Sequence, residues 1–380
     1  MKPKIPGRKN ALLQFLAGLL LAGHLMGAVE TPQGGTAGVK AGAYYFDGWT
    51  GKTENWHLPA RLKSEFGDRE PIWGWVTSTP EAMHAQIDCA ADYGLSFFAF
   101  DWFCPEGADK ATPLNNALGL FLKAPNQKRM EFCLLVANHA GFRIGPAEWD
   151  DCCEVWLTCF KHPSYVKLSN GEPLLIVLSP YELNKSFGGP RAVAAAFENL
   201  REKARQAGLP GVAIAGCWPA RNLDAQNTLP NEEVTEGYSF ITGYAMHNEC
   251  AWDWPKRSQP YQYLIDGHKK AWDLLAHHSS LPYIPVATIG WDMRPWEKTD
   301  LPEDKQAIRY LGRSPKGVET MLLNATKWIS EHPERTSLEK LLLIYAWNEY
   351  GEGGYLTPTI GGGYEYLEAV KRGLHAQTAK

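Results

Sequence analysis

The sequence predicts an α/β fold in the form of a single (β/α)8 barrel, and three observations indicate that class. Eight short apolar runs recur along the 380 residues, and segments of helical periodicity separate them. Strand and helix alternating eight times is typical of a (β/α)8 barrel. No low-complexity linker or shift in composition divides the chain. Because alternation alone does not show that the sheet closes, a doubly wound open sheet is the alternative.

The predicted strands are rich in bulky apolar residues, as expected for parallel strands that are buried on both faces. They cover residues 39–46, 95–101, 131–137, 173–179, 212–217, 239–245, 284–290 and 341–347. Helices are predicted where apolar residues recur every three or four positions. They cover residues 82–93, 115–123, 149–160, 192–209, 261–275, 318–329 and 364–374. The segment between the fifth and sixth strands carries only a weak helical signal.

Residues 1–28 are predicted to be a secretory signal peptide. Four basic residues precede an apolar run over residues 11–22, and small residues follow at Gly27 and Ala28. The run is too short to span a bilayer comfortably, and no other stretch approaches that length. We therefore expect a periplasmic or secreted protein whose mature chain does not insert into the membrane. Residues 29–38 are expected to be a flexible leader, and residues 39–380 the barrel domain.

Charge and cysteine content narrow the classes of partner. Removing the four basic residues of the signal peptide from the 38 Lys and Arg leaves 34, against 42 Asp and Glu. An acidic surface repels phosphate backbones, so nucleic acid is not an expected partner. The eight cysteines have no metal-binding spacing. We expect most of them to be small core residues, with one or two disulfide bridges.

Two of the predicted loops that follow strands are rich in tryptophan. The first of these loops, residues 47–79, is long, and the sixth carries a pair of tryptophans. The residues are Trp49, Trp56, Trp73 and Trp75 in the first loop and Trp252 and Trp254 in the sixth. Aromatic faces pack well against the C–H face of a pyranose, so these rings are candidate sugar platforms. The alternative is that they fill the core of their own loop.

Residues that follow the strands of a barrel converge on one pocket at its C-terminal end. Here they combine carboxylates, amides and aromatic rings, which suits a neutral polyol because carboxylates accept hydrogen bonds from hydroxyl groups. The predicted substrate-binding residues are Tyr44, Tyr45, Asp101, Trp102, Asn138, His139, Tyr181, Trp218, His247, Trp291, Asp292, Arg294, Trp347, Asn348 and Tyr350.

Simpler roles stay open for some of these residues. Asp292 and Arg294 could be a structural ion pair, and His139 could only cap its loop. His139 and His247 lack the close ligand spacing of a metal site, so no metal is predicted.

The most specific pattern follows the last predicted strand. The apolar run 341–345 leads into Ala346-Trp347-Asn348-Glu349-Tyr350-Gly351-Glu352-Gly353-Gly354-Tyr355. Glu349 and Glu352 are three residues apart, so their Cα atoms lie within about 10 Å even in an extended chain. Both carboxylates can therefore reach one glycosidic bond. The alternative is that the two acids open the next helix, whose dipole favours them there.

The pattern Asn-Glu-aromatic-x-Glu-Gly, followed by four residues and a proline at Pro358, resembles the last-strand motif of glycoside hydrolase family 99. That family comprises endo-acting α-mannosidases and mannanases. A wider set of similar proteins includes some described as lipopolysaccharide glycosyltransferases. The first and second predicted strands also look like those of the wider set. Two positions differ: Gly351 stands where the founding enzymes carry His, and Thr357 where both groups often carry Glu.

The resemblance implies an exported glycoside hydrolase that acts on an α-linked, mannose-configured sugar within a glycan. Carried over by the motif, Glu352 would be the general acid that protonates the leaving oxygen. Glu349 would be the general base that takes the proton of the sugar's own 2-hydroxyl, which gives a 1,2-anhydro intermediate and retained configuration. No cofactor is implied. Two other classes stay open: a glycosyltransferase-related protein of polysaccharide biosynthesis and a non-catalytic glycan-binding barrel.

Overall fold

The computed structural model describes residues 38–52, 57–105, 112–220, 232–250 and 257–375. The predicted signal peptide and all but the last residue of the predicted leader lie outside the described residues, as do Trp56, Trp252 and Trp254.

Parallel strands at the centre of the molecule form one eight-stranded sheet. In chain order, the strands of the described residues are β1 (Lys40–Tyr45), β2 (Phe97–Trp102), β3 (Glu131–Val136), β4 (Leu174–Val177), β5 (Ala213–Cys217), β6 (Phe240–Thr242), β7 (Ser258–Pro260), β8 (Val286–Thr288), β9 (Arg309–Leu311), β10 (Leu341–Tyr345), β11 (Asn348–Glu349) and β12 (Gly354–Tyr355). The large sheet has the order β6-β5-β4-β3-β2-β1-β10-β8, while β7 pairs with β9 and β11 with β12.

The sheet closes between β6 and the residues that lead into β8. The amide of Ile241 donates to the carbonyl of Pro282 at 3.1 Å, and the amide of Ile284 donates to the carbonyl of Ile241 at 2.9 Å. These bonds join the two ends of the strand order, so the predicted (β/α)8 barrel is confirmed and the open sheet is excluded. Each of the eight predicted strands overlaps one strand of the barrel.

Helices surround the barrel, and each of the seven predicted helices overlaps one of them. They are α1 (Ala60–Glu65), α2 (Pro80–Asp92), α3 (Asn116–Lys123), α4 (Pro146–Phe160), α5 (Pro180–Phe187), α6 (Pro190–Gln206), α7 (Glu232–Thr235), α8 (Tyr261–His278), α9 (Pro315–Glu331) and α10 (Glu365–His375). Several begin with a proline after a capping hydroxyl, which satisfies free amides of the first turn. Thr79 caps α2 and Ser314 caps α9, each accepting at 3.2 Å from an amide.

Strand residues alternate between the barrel interior and the layer of helices. In β2, Phe98 and Phe100 point outward, and Phe100 meets Phe121 of α3 with 5.3 Å between ring centroids. The next residue, Asp101, points inward and accepts a hydrogen bond from Tyr244, which follows β6. This alternation decides which residues at the strand ends can reach the pocket.

The cysteines act as core residues without bridges. None of the eight forms a disulfide, and six of them are buried. The expectation of one or two disulfides is therefore wrong, and these side chains lie in or against the hydrophobic core. Within the described residues, no helix combines the length and the apolar character needed to cross a membrane.

Candidate active site

Glu349 and Glu352 lie on a tight hairpin that leaves β10 at the C-terminal end of the barrel. Strand β11 pairs antiparallel with β12, and the amide of Glu352 donates to the carbonyl of Glu349 at 3.2 Å. A bond of this type closes a four-residue turn, so the two Cα atoms are within about 7 Å of each other. The next helix begins only at Glu365, so the alternative that both acids open that helix is wrong.

The hairpin is fixed to the end of β1. The side chain of Asn348 is fully buried and brackets one residue of the first strand. Its Oδ1 accepts from the amide of Phe46 at 3.0 Å, and its Nδ2 donates to the carbonyl of Phe46 at 2.7 Å. The amide of Trp347 donates to the carbonyl of Tyr44 at 2.8 Å. These bonds hold the two glutamates in a defined position over the pocket. The side-chain amide of Asn348, which was predicted to bind substrate, therefore bonds the backbone of Phe46 instead.

Tyrosine hydroxyl groups pair with two of the carboxyl groups in the pocket. Tyr345, the last residue of β10, donates to Oε2 of Glu352. Tyr244 donates to Oδ2 of Asp101 at 2.7 Å. The rings of Tyr244 and Tyr345 have centroids 5.0 Å apart, and the ring of Tyr44 lies 4.8 Å from that of Tyr244. A row of phenols therefore crosses the barrel interior beneath the acids.

The three acids of the pocket all have raised pKa values. Burial is the largest cause for Glu349, and the charges of Glu352 and Asp101 raise its pKa further, while Tyr244 acts in the opposite direction. Burial also raises the pKa of Glu352 against the effect of its bond from Tyr345. Burial raises the pKa of Asp101 to about 8. Burial therefore favours the protonated forms of these acids, and repulsion between carboxylates raises the pKa values of Glu349 and Asp101 further.

Asp292 and Arg294 form a structural ion pair, and a third residue joins them. Arg69 contacts Oδ2 of Asp292 at 2.5 Å, and Arg294 contacts the same oxygen at 2.7 Å. Arg69 also donates to the carbonyl of Tyr350 at 3.0 Å, and the amide of Asp292 donates to the carbonyl of Glu352 at 2.6 Å. Burial acts to raise the pKa of Asp292, but the guanidinium groups of Arg294 and Arg69 outweigh burial. The pKa of Asp292 is therefore lowered. This network supports the hairpin from the β8 side.

Three predicted ligands face the helices instead of the pocket. Tyr45 packs against two phenylalanines of β2, at 4.9 and 5.3 Å between ring centroids. Trp102 meets Trp156 of α4 at 5.6 Å. Trp347 is fully buried, and its indole N–H donates to Gln86 of α2 at 2.8 Å. The structure corrects their predicted position: neighbours in a strand point to opposite sides, and β10 ends before Trp347.

Other predicted ligands hold loops or lie at the rim. The side chain of Asn138 donates to the carbonyl of Ser179 at 2.7 Å and accepts from its amide at 2.9 Å, which ties the ends of β3 and β4 together. His139 is exposed, and Tyr181 is 72% exposed. Trp218 is half-buried, with its ring centroid 6.2 Å from that of a tyrosine. Their hydrogen bonds and exposure place these residues in loops and at the rim of the barrel end.

His247 and Trp291 form one wall beside the acids. Their rings stack with centroids 3.3 Å apart and an interplanar angle of 6°. The ring of Trp291 lies 5.9 Å from that of Tyr345, the residue bonded to Glu352. Tyr310 of β9 donates to the carbonyl of His247 at 2.8 Å, so the small β7–β9 sheet fixes this wall.

The first loop packs beneath the hairpin. Trp49 is buried, and its ring lies 4.8 Å from that of Tyr350. Trp75 lies 5.9 Å from the same tyrosine and is half-buried. These contacts fit the alternative stated above, in which the tryptophans fill a core of their own loop. Tyr350, predicted as a ligand, belongs to that core.

Two tyrosines of the pocket, Tyr244 and Tyr345, were not among the predicted site residues. Both fall inside predicted strands, where an aromatic residue is expected to be part of the core. Their signal is a phenol hydroxyl near the carboxyl end of a strand, which for Tyr345 follows four purely aliphatic residues. Arg69 and Trp296 were also missed, because nothing in the local sequence shows that they reach the hairpin.

The closed parallel sheet and the acid pair at its C-terminal end define a (β/α)8-barrel protein with a glycoside hydrolase-like fold. A solved structure described as a glycoside hydrolase-like protein has a TM-score of 0.60 and 14% identity, covering 91% of this chain and 97% of its own. The family 99 endo-α-mannosidase from Bacteroides thetaiotaomicron has a TM-score of 0.58 and 14% identity, with coverage of 89% and 96%. Its complex with Bis-Tris propane has a TM-score of 0.56 and 12% identity, with coverage of 88% and 96%.

These likenesses confirm the resemblance to family-99-like proteins at the level of the fold. Residues 141–370 match the model of the family described as Glycosyltransferase WbsX. The match covers more than half of the chain, so the chain belongs to that family. None of the curated proteins compared with the sequence matches it.

Proposed function

We propose that this chain is a glycoside hydrolase that cleaves an α-linked, mannose-configured glycan, with Glu349 and Glu352 as its catalytic pair. The observation that carries the proposal is the position of two carboxyl groups, Glu349 buried and Glu352 half-buried, on one four-residue turn at the C-terminal end of the barrel. Active sites of (β/α)8 barrels lie at that end. Export to the periplasm or the medium is part of the proposal and rests on the predicted signal peptide.

In the proposed mechanism, Glu352 gives its proton to the glycosidic oxygen as the bond from that oxygen to the anomeric carbon breaks. Glu349 takes the proton of the sugar's 2-hydroxyl, whose oxygen forms the new bond to the anomeric carbon. Water then opens the 1,2-anhydro ring, losing a proton to Glu352, while Glu349 returns its proton to the 2-oxygen. Two inversions give a product of retained configuration. Repulsion between the two carboxyl groups supports the assignment of one as acid and the other as base, because such a pair ionises one group at a time.

Asp101 would bind the same sugar unit. One of its oxygens accepts the hydrogen bond from Tyr244, and its Oδ1 is buried and has no partner in the described structure. A buried acceptor without a partner is costly, so a hydroxyl group of a bound sugar would stabilise the site by donating to it.

The name of the family favours a second candidate, a glycosyltransferase. A nucleotide-sugar donor carries two phosphates, and a site for it needs positive charge or free amides. The pocket instead holds three acids, and the guanidinium groups of Arg69 and Arg294 are both engaged by Asp292. The charge of the pocket therefore fits a neutral glycan better than a diphosphate.

A glycan panel separates these functions. The purified protein is incubated with fragments of α-mannan and of bacterial polysaccharides, and with nucleotide-sugar donors. New reducing ends indicate hydrolysis, elongated products indicate transfer, and retention without cleavage indicates a binding protein.

Glu352→Gln should lower cleavage of the natural glycan by about 100-fold or more, and should lower cleavage of an activated aryl glycoside less. Glu349→Gln should affect both substrates alike. Glu365→Gln, an exposed glutamate at the start of α10, is the matched control. Full activity of Glu352→Gln would overturn the proposal.

A further inference from the structure

Trp296 lies at the edge of the glutamate hairpin and leaves 39% of its surface exposed. It ends the short 3-10 helix Arg294–Trp296, which follows β8. Its indole approaches Gly351, which lies between the two glutamates in the turn. A methyl group on Gly351 would be 2.4 Å from Nε1, 3.0 Å from Cε2 and 3.2 Å from Cζ2 of the indole. The indole thus meets the turn with one edge, and the contact requires glycine at that position.

The segment that carries Trp296 is held in place by backbone contacts. Arg61 of α1 donates to the carbonyl of Arg294 at 2.7 Å and to that of Glu297 at 2.6 Å. The amide of Trp296 donates to the carbonyl of Met293 at 2.9 Å. A ring on a rigid segment loses little conformational freedom when a ligand stacks on it, which favours binding.

We propose that Trp296 is the platform of a separate sugar subsite, and that its ligand is a neutral pyranose unit next to the bond that is cleaved. The edge contact with Gly351 does not itself cover a face of the indole, and 39% of the residue is exposed. A pyranose presents a C–H face that packs on an aromatic ring. Because Gly351 belongs to the turn that carries both glutamates, a sugar on this ring adjoins the unit held by the acids. The subsite rests on the proposed function and extends its specificity to glycans longer than one unit.

The first test measures binding without cleavage. In a Glu352→Gln background, calorimetry compares an α-mannan oligosaccharide of several units with the monosaccharide methyl α-mannoside. Trp296→Ala should weaken oligosaccharide binding by about tenfold, the scale of one aromatic contact, and should leave the monosaccharide unaffected. Trp296→Phe, which keeps a ring, should restore most of the loss. Tyr263→Ala is the control, because Tyr263 is an aromatic residue of similar exposure, 47%, on α8.

The second test measures cleavage. Trp296→Ala should raise KM for the oligosaccharide by about tenfold. It should affect a mannosyl fluoride, which has no second ring to stack on the indole, much less, whereas a role in folding would lower the rates with both substrates. Equal binding by Trp296→Ala and the Tyr263→Ala control would overturn the subsite even if the wild type cleaves glycans. Weakened binding without any cleavage by the wild type would keep the subsite and refute the proposed hydrolase. Failure of the wild type to bind or cleave any member of the panel would refute both.

Discussion

Asp101→Asn should remove a pH dependence of stability that the wild-type chain carries. Burial, the largest cause, raises the pKa of Asp101 from its ordinary value of 3.8 to about 8, and the side chain is 6% exposed. Between these two pH values the folded chain holds a proton that the unfolded chain releases. The stability contributed by that proton is fully present below the unfolded pKa and is lost as the pH rises towards the folded pKa.

The size of this change in the free energy of unfolding follows from the one proton that the folded chain binds and the unfolded chain does not. A difference of one bound proton changes the free energy of unfolding by about 1.4 kcal/mol per pH unit, so Asp101 alone lowers it by about 2.7 kcal/mol between pH 5 and 7. Asparagine has the shape of a protonated aspartate and does not titrate, and its oxygen can still accept from Tyr244. The variant should therefore lack this contribution.

Urea denaturation of both proteins at pH 5, 6 and 7, followed by circular dichroism, measures the difference. We expect the stability of the wild type relative to Asp101→Asn to fall by about 2.7 kcal/mol over this range. Tyr244→Phe is the control, because it keeps the titrating carboxyl group and should keep the slope. Parallel pH curves for the wild type and Asp101→Asn would show that Asp101 is ionised in the folded chain, and the argument from burial would fail.

Other predictions concern the neighbours of the site and the start of the chain. Tyr345→Phe removes a donor that stabilises ionised Glu352, so the alkaline limb of the kcat/KM profile should move up by about one pH unit; a limb that stays or moves down would contradict this. Arg69→Met breaks a buried ion pair and should lower the free energy of unfolding in urea by about 3 kcal/mol, whereas the exposed Arg372→Met should change it little. Mass spectrometry of protein from the native host should find a mature N-terminus near residue 28 or 29, and intact chain recovered from the cytoplasm would refute export.

The barrel is predictable from the sequence because its elements have strong local signals. Each parallel strand is buried on both faces and so reads as a short apolar run. The helices show a period of 3.6 residues, and most begin at a proline or a capping hydroxyl. The least certain element, between the fifth and sixth strands, contains only the four-residue helix α7 among its described residues.

The pocket is less predictable because it depends on strand direction and on contacts between distant residues. Tyr44 and Tyr45 are adjacent in sequence, yet only Tyr44 enters the barrel interior. Tyr345 reads as one more residue of an apolar strand, although its hydroxyl group bonds Glu352. The partner of Asp292 lies 223 positions away at Arg69. Such pairs have no signature in a local window of sequence.

The clamp between Asn348 and Phe46 joins residues 302 positions apart along the chain. Strand β1 pairs with β10 on one side, so this pairing can form only after β10 has been synthesised. Contacts of such large sequence separation form late and slow the folding of a domain. A nascent chain that still lacks β10 and the hairpin can have neither a closed barrel nor the paired glutamates. The turn that carries the two glutamates can therefore be assembled only after residues 341–355 have been synthesised.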